Sequence, residues 1–390
     1  MSSGSSPDKI FSIPTRGDWV LAAAKENEGK NPDETLNWKV ETIDGRAYYD
    51  KSDRPEKIFH LPVSWNEFLG PRTWHNLPQV TVVDSRKANQ IALDHLKNGA
   101  DGVLFDIRTS KSFDLNVLLE AIEWPYCMVA FLATKSQLEL LRTIPQLAKT
   151  RKWDAHSLTG FILWENEVPG ASGDFDELTQ FSASGIFLNE PTDVITQLSR
   201  VISTASKIKN GKSITVSLPV GPDFFLEQAK LKALRALLVE NSVHNIFIHA
   251  RSTAWVSQSF QPHGNLLKST TAAMAAIAGG CDALTVYAEQ ETDGMMNRIA
   301  RNVSNILREE SYLNKVADAT AGSYYVDALT QQIIEQVRAK LTTVLNNQSL
   351  SHDSKQLSWT SPEGIEIKPS YSAEDTQPLT HLDFTAGLPP

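Results

Sequence analysis

With 390 residues, 41% of them hydrophobic and 21% charged, the chain has room for one large domain with appendages or two to three ordinary ones, and wholesale disorder is excluded. A balance of 37 Lys and Arg against 46 Asp and Glu leaves a net charge of −9 with no long basic run, which disfavours a nucleic-acid or anionic-membrane partner. The two cysteines, Cys127 and Cys281, lie in apolar segments without a second thiol or histidine at ligand spacing, and no apolar stretch reaches the ~20 residues of a membrane span; a soluble, cytoplasmic protein without a zinc or disulfide framework is expected.

In chain order, residues 1–78 read as an arm. A polar start precedes a helix predicted over 18–27, and then comes an extended stretch rich in Trp, Tyr and Pro that wraps the rest of the chain or meets a partner. From 79 to 290, short β-branched or aromatic runs alternate with helical patterns, as in repeated βα units. The runs are 80–84 (VTVVD), 103–107 (VLFDI), 127–132 (CMVAFL), 160–164 (GFILW), 185–189 (GIFLN), 213–218 (SITVSL), 245–249 (NIFIH) and 282–287 (DALTVY), eight in all.

Between them, Ser85 can cap a helix that buries Ala88, Ile91, Ala92 and His95 or Leu96 and stops at Gly99. Leu226, Ala229, Leu231, Leu234, Leu237 and Leu238 form one apolar stripe ahead of the seventh run. The Gly, Asp and Ser-rich segment 165–184 leaves space only for a short helix at 175–181. Nearly continuous apolar runs imply a sheet buried on both faces. Eight of them predict an α/β fold, a (β/α)8 TIM-type barrel over 79–345 including its C-terminal helices. An open doubly wound sheet is the alternative, but no G-x-G-x-x-G turn follows any run.

After the eighth run come a helix predicted over 295–312, a Gly-Ser-Tyr-Tyr turn, a helix over 326–345 and a polar linker, 346–356. The tail, 357–390, echoes the arm: LSWTSPEG (357–364) followed by Tyr371 matches LNW (36–38), Gly45, Tyr48 and Tyr49, with Trp359 lying 321 residues after Trp38. It reads as the opening of a second copy of the domain, truncated.

In a parallel barrel, chemistry sits at the carboxyl ends of the strands. Those positions hold Asp84, Asp106, Glu165, Asn189, His249 with Arg251, and Glu289. Asp84, Asp106 and Glu165 could hold Mg²⁺ or act as acid and base, and His249 could move protons near neutral pH. Polar residues there also cap the following helices, and that structural reading outweighs a metal site. No lysine ends a strand, and G-x-S-x-G, phosphate-loop and H-E-x-x-H motifs are absent. Only Thr81, Thr215, Ser217 and Thr285 put small hydroxyls inside the strands, so a packed interior is expected rather than a tunnel.

The stretch RIARN (298–302) through ILREES (306–311), Leu313, KVAD (315–318), GSYYV (322–326) and ALT (328–330), with NLLKSTTAAM (265–274) and GGCDA (279–283), strongly resembles the adenosylcobalamin-dependent methylmalonyl-CoA mutase family. The resemblance implies an acyl-CoA mutase barrel whose catalytic copy interconverts methylmalonyl-CoA and succinyl-CoA by a radical route, the cofactor supplying the chemistry. Catalytic chains of the family append a domain whose D-x-H-x-x-G motif ligates cobalt. That motif is absent; DHLKNG (94–99) has different spacing and lies in a predicted helix.

The family's G-L-P-P entry segment occurs only at 387–390, and the comparable place in the first copy, FLGPRTW (68–74), lacks the active-site tyrosine. The chain therefore resembles a non-catalytic small subunit fused to the start of a catalytic large subunit. On that resemblance, adenosylcobalamin belongs to the complete enzyme and none is expected on this chain alone; the partners are a catalytic subunit or fused catalytic half and an acyl-CoA. No catalytic, cofactor or metal residue is assigned beyond the strand-end candidates. The alternatives are an independent barrel enzyme, such as a Mg²⁺-dependent lyase using Asp84, Asp106 and Glu165, and an interaction module working through the arm.

Overall fold

The computed structural model describes residues 14–64, 66, 69–110, 112–169, 175, 177–189, 192–208, 213–243, 245–254, 263–290, 293–352, 359–360 and 366–367. They belong to two compact units, Met1–Arg338 and Ala339–Pro390.

The first unit begins with helix α1 (Arg16–Glu26), two residues earlier than the spacing predicts, because Thr15 caps it in a box with Asp18. Helix α2 (Pro32–Thr35) leads into an antiparallel pair, β1 (Trp38–Val40) and β2 (Ile43–Gly45). The Trp38 ring lies against Gly45, where a Cβ would come within 1.9 Å of it. This arm wraps its own barrel: the Asp44 N–H donates to Gln332 Oε1 at 3.0 Å, and Gln336 Nε2 donates to the Thr42 carbonyl at 2.9 Å.

Next come β3 (His75–Asn76) and β4 (Gln79–Thr81), two halves of one strand interrupted at Leu77 and Pro78. They are followed by α3 (Ser85–Lys97), β5 (Gly102–Asp106), α4 (Leu115–Leu118), β6 (Met128–Ala133), α5 (Leu140–Thr150), β7 (Gly160–Glu165), β8 (Phe181–Phe187), α6 (Val194–Ala205), β9 (Ile214–Val220), α7 (Phe224–Glu240), β10 (Ile246–Ser252), α8 (Gly264–Ala278), β11 (Ala283–Thr285), α9 (Gly294–Glu309) and α10 (Tyr324–His352).

All neighbours in the sheet are parallel, in the order β3-β11-β10-β9-β8-β7-β6-β5-β4. The order begins and ends on the same stretch of chain. Leu77 N–H donates to the Leu284 carbonyl at 2.9 Å on one side, and the Pro78 carbonyl accepts from Leu104 N–H at 3.0 Å on the other. Eight parallel strands therefore close into a TIM-type barrel, and the open-sheet alternative is removed.

Three local expectations need correction. The first run pairs only over Gln79–Thr81, because Asp84, not Ser85, is the N-cap of α3. No α-helix occupies 175–181 among the described residues; Phe181 already opens β8, its ring stacked 5.5 Å from that of Phe175. Helix α10 runs on to His352, so the first seven residues of the stretch read as linker are helical. Of the tail, the described residues form a second antiparallel pair, β12 (Trp359–Thr360) with β13 (Glu366–Ile367), and the rest of 357–390 lies outside them.

Alternation along the strands sorts side chains to two faces. Val103, Phe105, Val129, Phe131, Ile162 and Trp164 meet Ala88, Ala92, Leu118, Leu140 and Ile144 of the helices. The opposite face fills the barrel with Leu77, Leu104, Met128, Ala130, Leu132, Phe161, Leu163, Phe187 and Ala283, and Phe247 packs on them. The interior is packed, as bulky strand residues predict. Gly160 permits one close approach: its Cβ would stand 1.9 Å from the Val129 carbonyl oxygen of the neighbouring strand.

The stripe on α7 is buried as expected, but so are its polar residues. Lys230 pairs with Glu227 and donates to the Pro219 carbonyl at 2.8 Å, while Arg235 reaches Asp282 at 2.6 Å. Lys232, wholly buried, lies 3.3 Å from Asp318, 3.6 Å from Asp327 and 3.0 Å from Thr320 Oγ1. The chain after α9 and the start of α10 thus cover α7 from outside, which a helix of a bare barrel would leave to water. No helix among the described residues is long and apolar enough to cross a membrane.

Candidate functional site at the barrel mouth

The strand-end residues do not converge as a carboxylate site. Asp84 is exposed and spends its carboxylate on the Lys87 N–H, 2.8 Å away, at the start of α3. Asp106 and Glu165 do approach one point, but Arg108 occupies it. Arg108 Nε and Nη2 grip Asp106 at 3.0 and 2.8 Å, and Nη1 reaches Glu165 at 2.6 Å. The guanidinium fills the place a divalent cation would need, against the Mg²⁺-lyase alternative; among the described residues no other cluster of ligating side chains could hold a metal. Hydrogen bonds to Asp106, with its charge and that of Glu165, outweigh burial and raise Arg108 above its ordinary value.

Arg108 is the residue that counting strand ends misses. Its signal is the i, i+2 spacing of Asp106 and Arg108, which puts a cation beside the carboxylate on the same side of the chain. Phe187 lies between two guanidinium groups, with Arg108 5.2 Å and Arg251 4.2 Å from its ring centre.

His249 and Arg251 sit deeper, on β10. Arg251 Nε donates to Ser217 Oγ at 2.9 Å, Ser217 lies 3.0 Å from His249 Nδ1, and His249 Nε2 lies 2.8 Å from Thr285 Oγ1. Thr285 in turn donates to the Leu77 carbonyl. That last bond has only one possible direction, so Thr285 accepts from Nε2–H, Nδ1 accepts from Ser217, and Ser217 accepts from Arg251. The chain fixes one neutral tautomer. Burial, and then the Arg251 charge, push the His249 imidazole well below its ordinary 6.5, so it is not poised to move protons at neutral pH. Asn189 is exposed at the end of β8, and Glu289, buried, faces His263 at 3.3 Å.

Beside this cluster lies a cavity of about 220 Å³, whose walls include His95, Arg108, Asn189, Arg251, Thr285 and Arg301. Arg301, from the RIARN stretch on α9, is buried and reaches His95 Nδ1 at 3.3 Å. Burial, reinforced by Arg301, lowers His95 to about 4. The two thiols are pushed up by burial, Cys127 to about 11 and Cys281 to about 12, and both are protonated at neutral pH.

These neutral, buried imidazoles make a prediction. A histidine lowered in the folded state binds its proton more readily when unfolded, so its stability contribution is complete above pH 6.5 and lost as pH falls from 6.5 to about 4. For His95 this amounts to about 3 kcal/mol. Urea midpoints measured between pH 7.5 and 4.5 are expected to fall, and the His95→Gln variant should show a shallower fall; equal slopes would contradict the assignment.

Comparison with known proteins agrees with the motif reading. The family model "Methylmalonyl-CoA mutase" matches residues 209–348, from just before β9 into α10. The mitochondrial methylmalonyl-CoA mutase of Bos taurus is 24% identical over 83% of this chain and 54% of its own length. The methylmalonyl-CoA mutase small subunit of Porphyromonas gingivalis is 35% identical over 32% of this chain and 22% of its own, and the Escherichia coli methylmalonyl-CoA mutase 30% identical over 44% and 28%. The chain spans about half the length, at most, of these relatives. With the RIARN and GSYYV stretches on α9 and the start of α10 of a closed eight-stranded barrel, it belongs to the methylmalonyl-CoA mutase family.

Proposed function

We propose that this chain is a supporting, small-subunit-like barrel of an adenosylcobalamin-dependent mutase, acting beside a catalytic subunit or a fused catalytic half that interconverts methylmalonyl-CoA and succinyl-CoA. The observation that carries the reading is the filled interior: Leu104, Met128, Leu132, Phe161, Leu163 and Phe187 pack across it, and the histidine at the mouth is sealed and held neutral. A long acyl thioester has no passage along such an axis, and a locked imidazole gives no general acid.

The two histidines beside the cavity do not suit a cobalt ligand either. His95 is buried on α3 with Nδ1 facing an Arg301 N–H, and both nitrogens of His249 are engaged. Neither imidazole is free to hold the cofactor on this chain. Residues 1–78 then serve as a clamp on the barrel, 79–345 as the barrel with its C-terminal helices, and 357–390 as the opening of a second mutase barrel. The pairs β1–β2 and β12–β13, each opening on a tryptophan, support that last assignment.

The test is to purify the chain and mix it with adenosylcobalamin and methylmalonyl-CoA. Neither turnover nor a change in the cobalamin spectrum is expected until a catalytic subunit is added, with which the chain should co-elute. Turnover by the chain alone, or a spectrum showing histidine ligation, would overturn the reading.

A further inference from the structure

The cavity at the mouth is lined by guanidinium groups, two of which are incompletely bonded. Its walls hold Arg108, Arg251, Arg301 and His95, and among the described residues that line it there is no carboxylate. Arg108 is fully engaged by two carboxylates, Asp106 and Glu165, that lie outside the lining. Arg251 and Arg301 keep unused donors.

Arg251 is 8% exposed, and no carboxylate among the described residues comes within ion-pair distance of it; its bonds to Ser217 and the Leu188 carbonyl leave Nη1 without an acceptor there. Burial, with Arg108 close by, lowers it to about 9. Arg301 is 5% exposed; its Nη1 reaches the exposed Asp94 and His95 Nδ1, each at 3.3 Å, and its Nε is buried with no partner. Holding Arg251 buried with no carboxylate in contact, and Arg301 with a buried Nε unbonded, is costly, and the cost falls when an anion enters. The remaining wall supplies neutral polar side chains, Gln79, Ser252 and Thr253 among them, suited to orient oxygen atoms.

We propose that this cavity binds a small oxyanion, a carboxylate or phosphate group, held between Arg251 and Arg301. At about 220 Å³ it suits a free anion of a few heavy atoms rather than a nucleotide or a coenzyme. The site is a ligand position of this barrel itself and holds whether or not the chain catalyses.

Isothermal titration of the full chain in a low-salt amine buffer tests it, with inorganic phosphate in one arm and malonate in the other. Saturable one-site binding in either arm is expected, and the arm that responds identifies the source of the oxyanion. Arg251→Met should weaken it by about tenfold or more, the worth of one charge-assisted hydrogen bond. Should that variant fail to fold, Asn297→Asp on α9, which places a negative charge on the half-buried wall, should weaken binding by a similar factor. No saturable binding in either arm up to about 10 mM, or binding unchanged by the folded variants, would overturn the proposal.

Discussion

Lys232→Ala is expected to destabilise the protein by about 3–5 kcal/mol, read as a lower urea midpoint with an unchanged slope. The size follows from what is left behind. Lys232 is wholly buried, and its ammonium lies between Asp318 and Asp327, whose side chains are nearly as deep. Burial by itself would raise Asp318, but the Leu61 N–H, the Thr320 hydroxyl and the Lys232 charge hold it below its ordinary value. Asp327 is raised by burial, only partly opposed by Lys232, and its Oδ2 has no partner.

A depressed carboxylate stabilises above its unfolded value, near 3.8, and that stabilisation is lost as pH falls through the folded value. The Asp318 contribution is therefore intact at neutral pH and disappears only in strong acid, well below the histidine window. In Lys232→Ala the two aspartates repel without a mediator, so acidification toward pH 4 should recover part of the lost stability. A loss below about 1 kcal/mol would mean that water reaches the pair, contrary to the packing.

Phe161→Ala is expected to cost about 3–5 kcal/mol, as a buried aromatic truncated in a packed core. Phe161 is 1% exposed and lies 5.5 Å from Phe247 and 5.6 Å from His249, ring centre to ring centre. Its removal opens space beside the sealed imidazole. Water entering there would relieve the desolvation that lowers His249, so its titration, followed by NMR of the ring protons, should move upward toward 6.5. A large stability loss without that movement would mean that the interior closes over the gap, and that the packed axis depends on more than this ring.

These two variants mark the line between what was legible and what was not. The barrel was readable because its signals are local: apolar runs of strand length, caps such as Thr15, and the apolar stripe of α7 each act within a few residues. So was the packed interior, since bulky side chains fill it wherever the strands point inward. The errors were local too. Asp84 took the cap from Ser85, and Phe181 began a strand where a short helix was expected, because pairing with β7 outweighs the weak helical pattern there.

The candidate site was legible only as a list of strand ends. That Arg108 reaches Glu165 links positions 57 residues apart, and that Lys232 answers Asp318 links positions 86 apart. The family motifs at 298–302 and 322–326 identified the chain but not the burial of Arg301 beside His95. By itself the sequence determined the class, the strand count and the packed axis, since these follow from short-range periodicity and side-chain size. Only the tertiary structure decided which charges are neutralised, which histidine is locked and which guanidinium is left without a carboxylate in contact, because Coulomb and desolvation energies depend on distances across the fold that spacing along the chain does not encode.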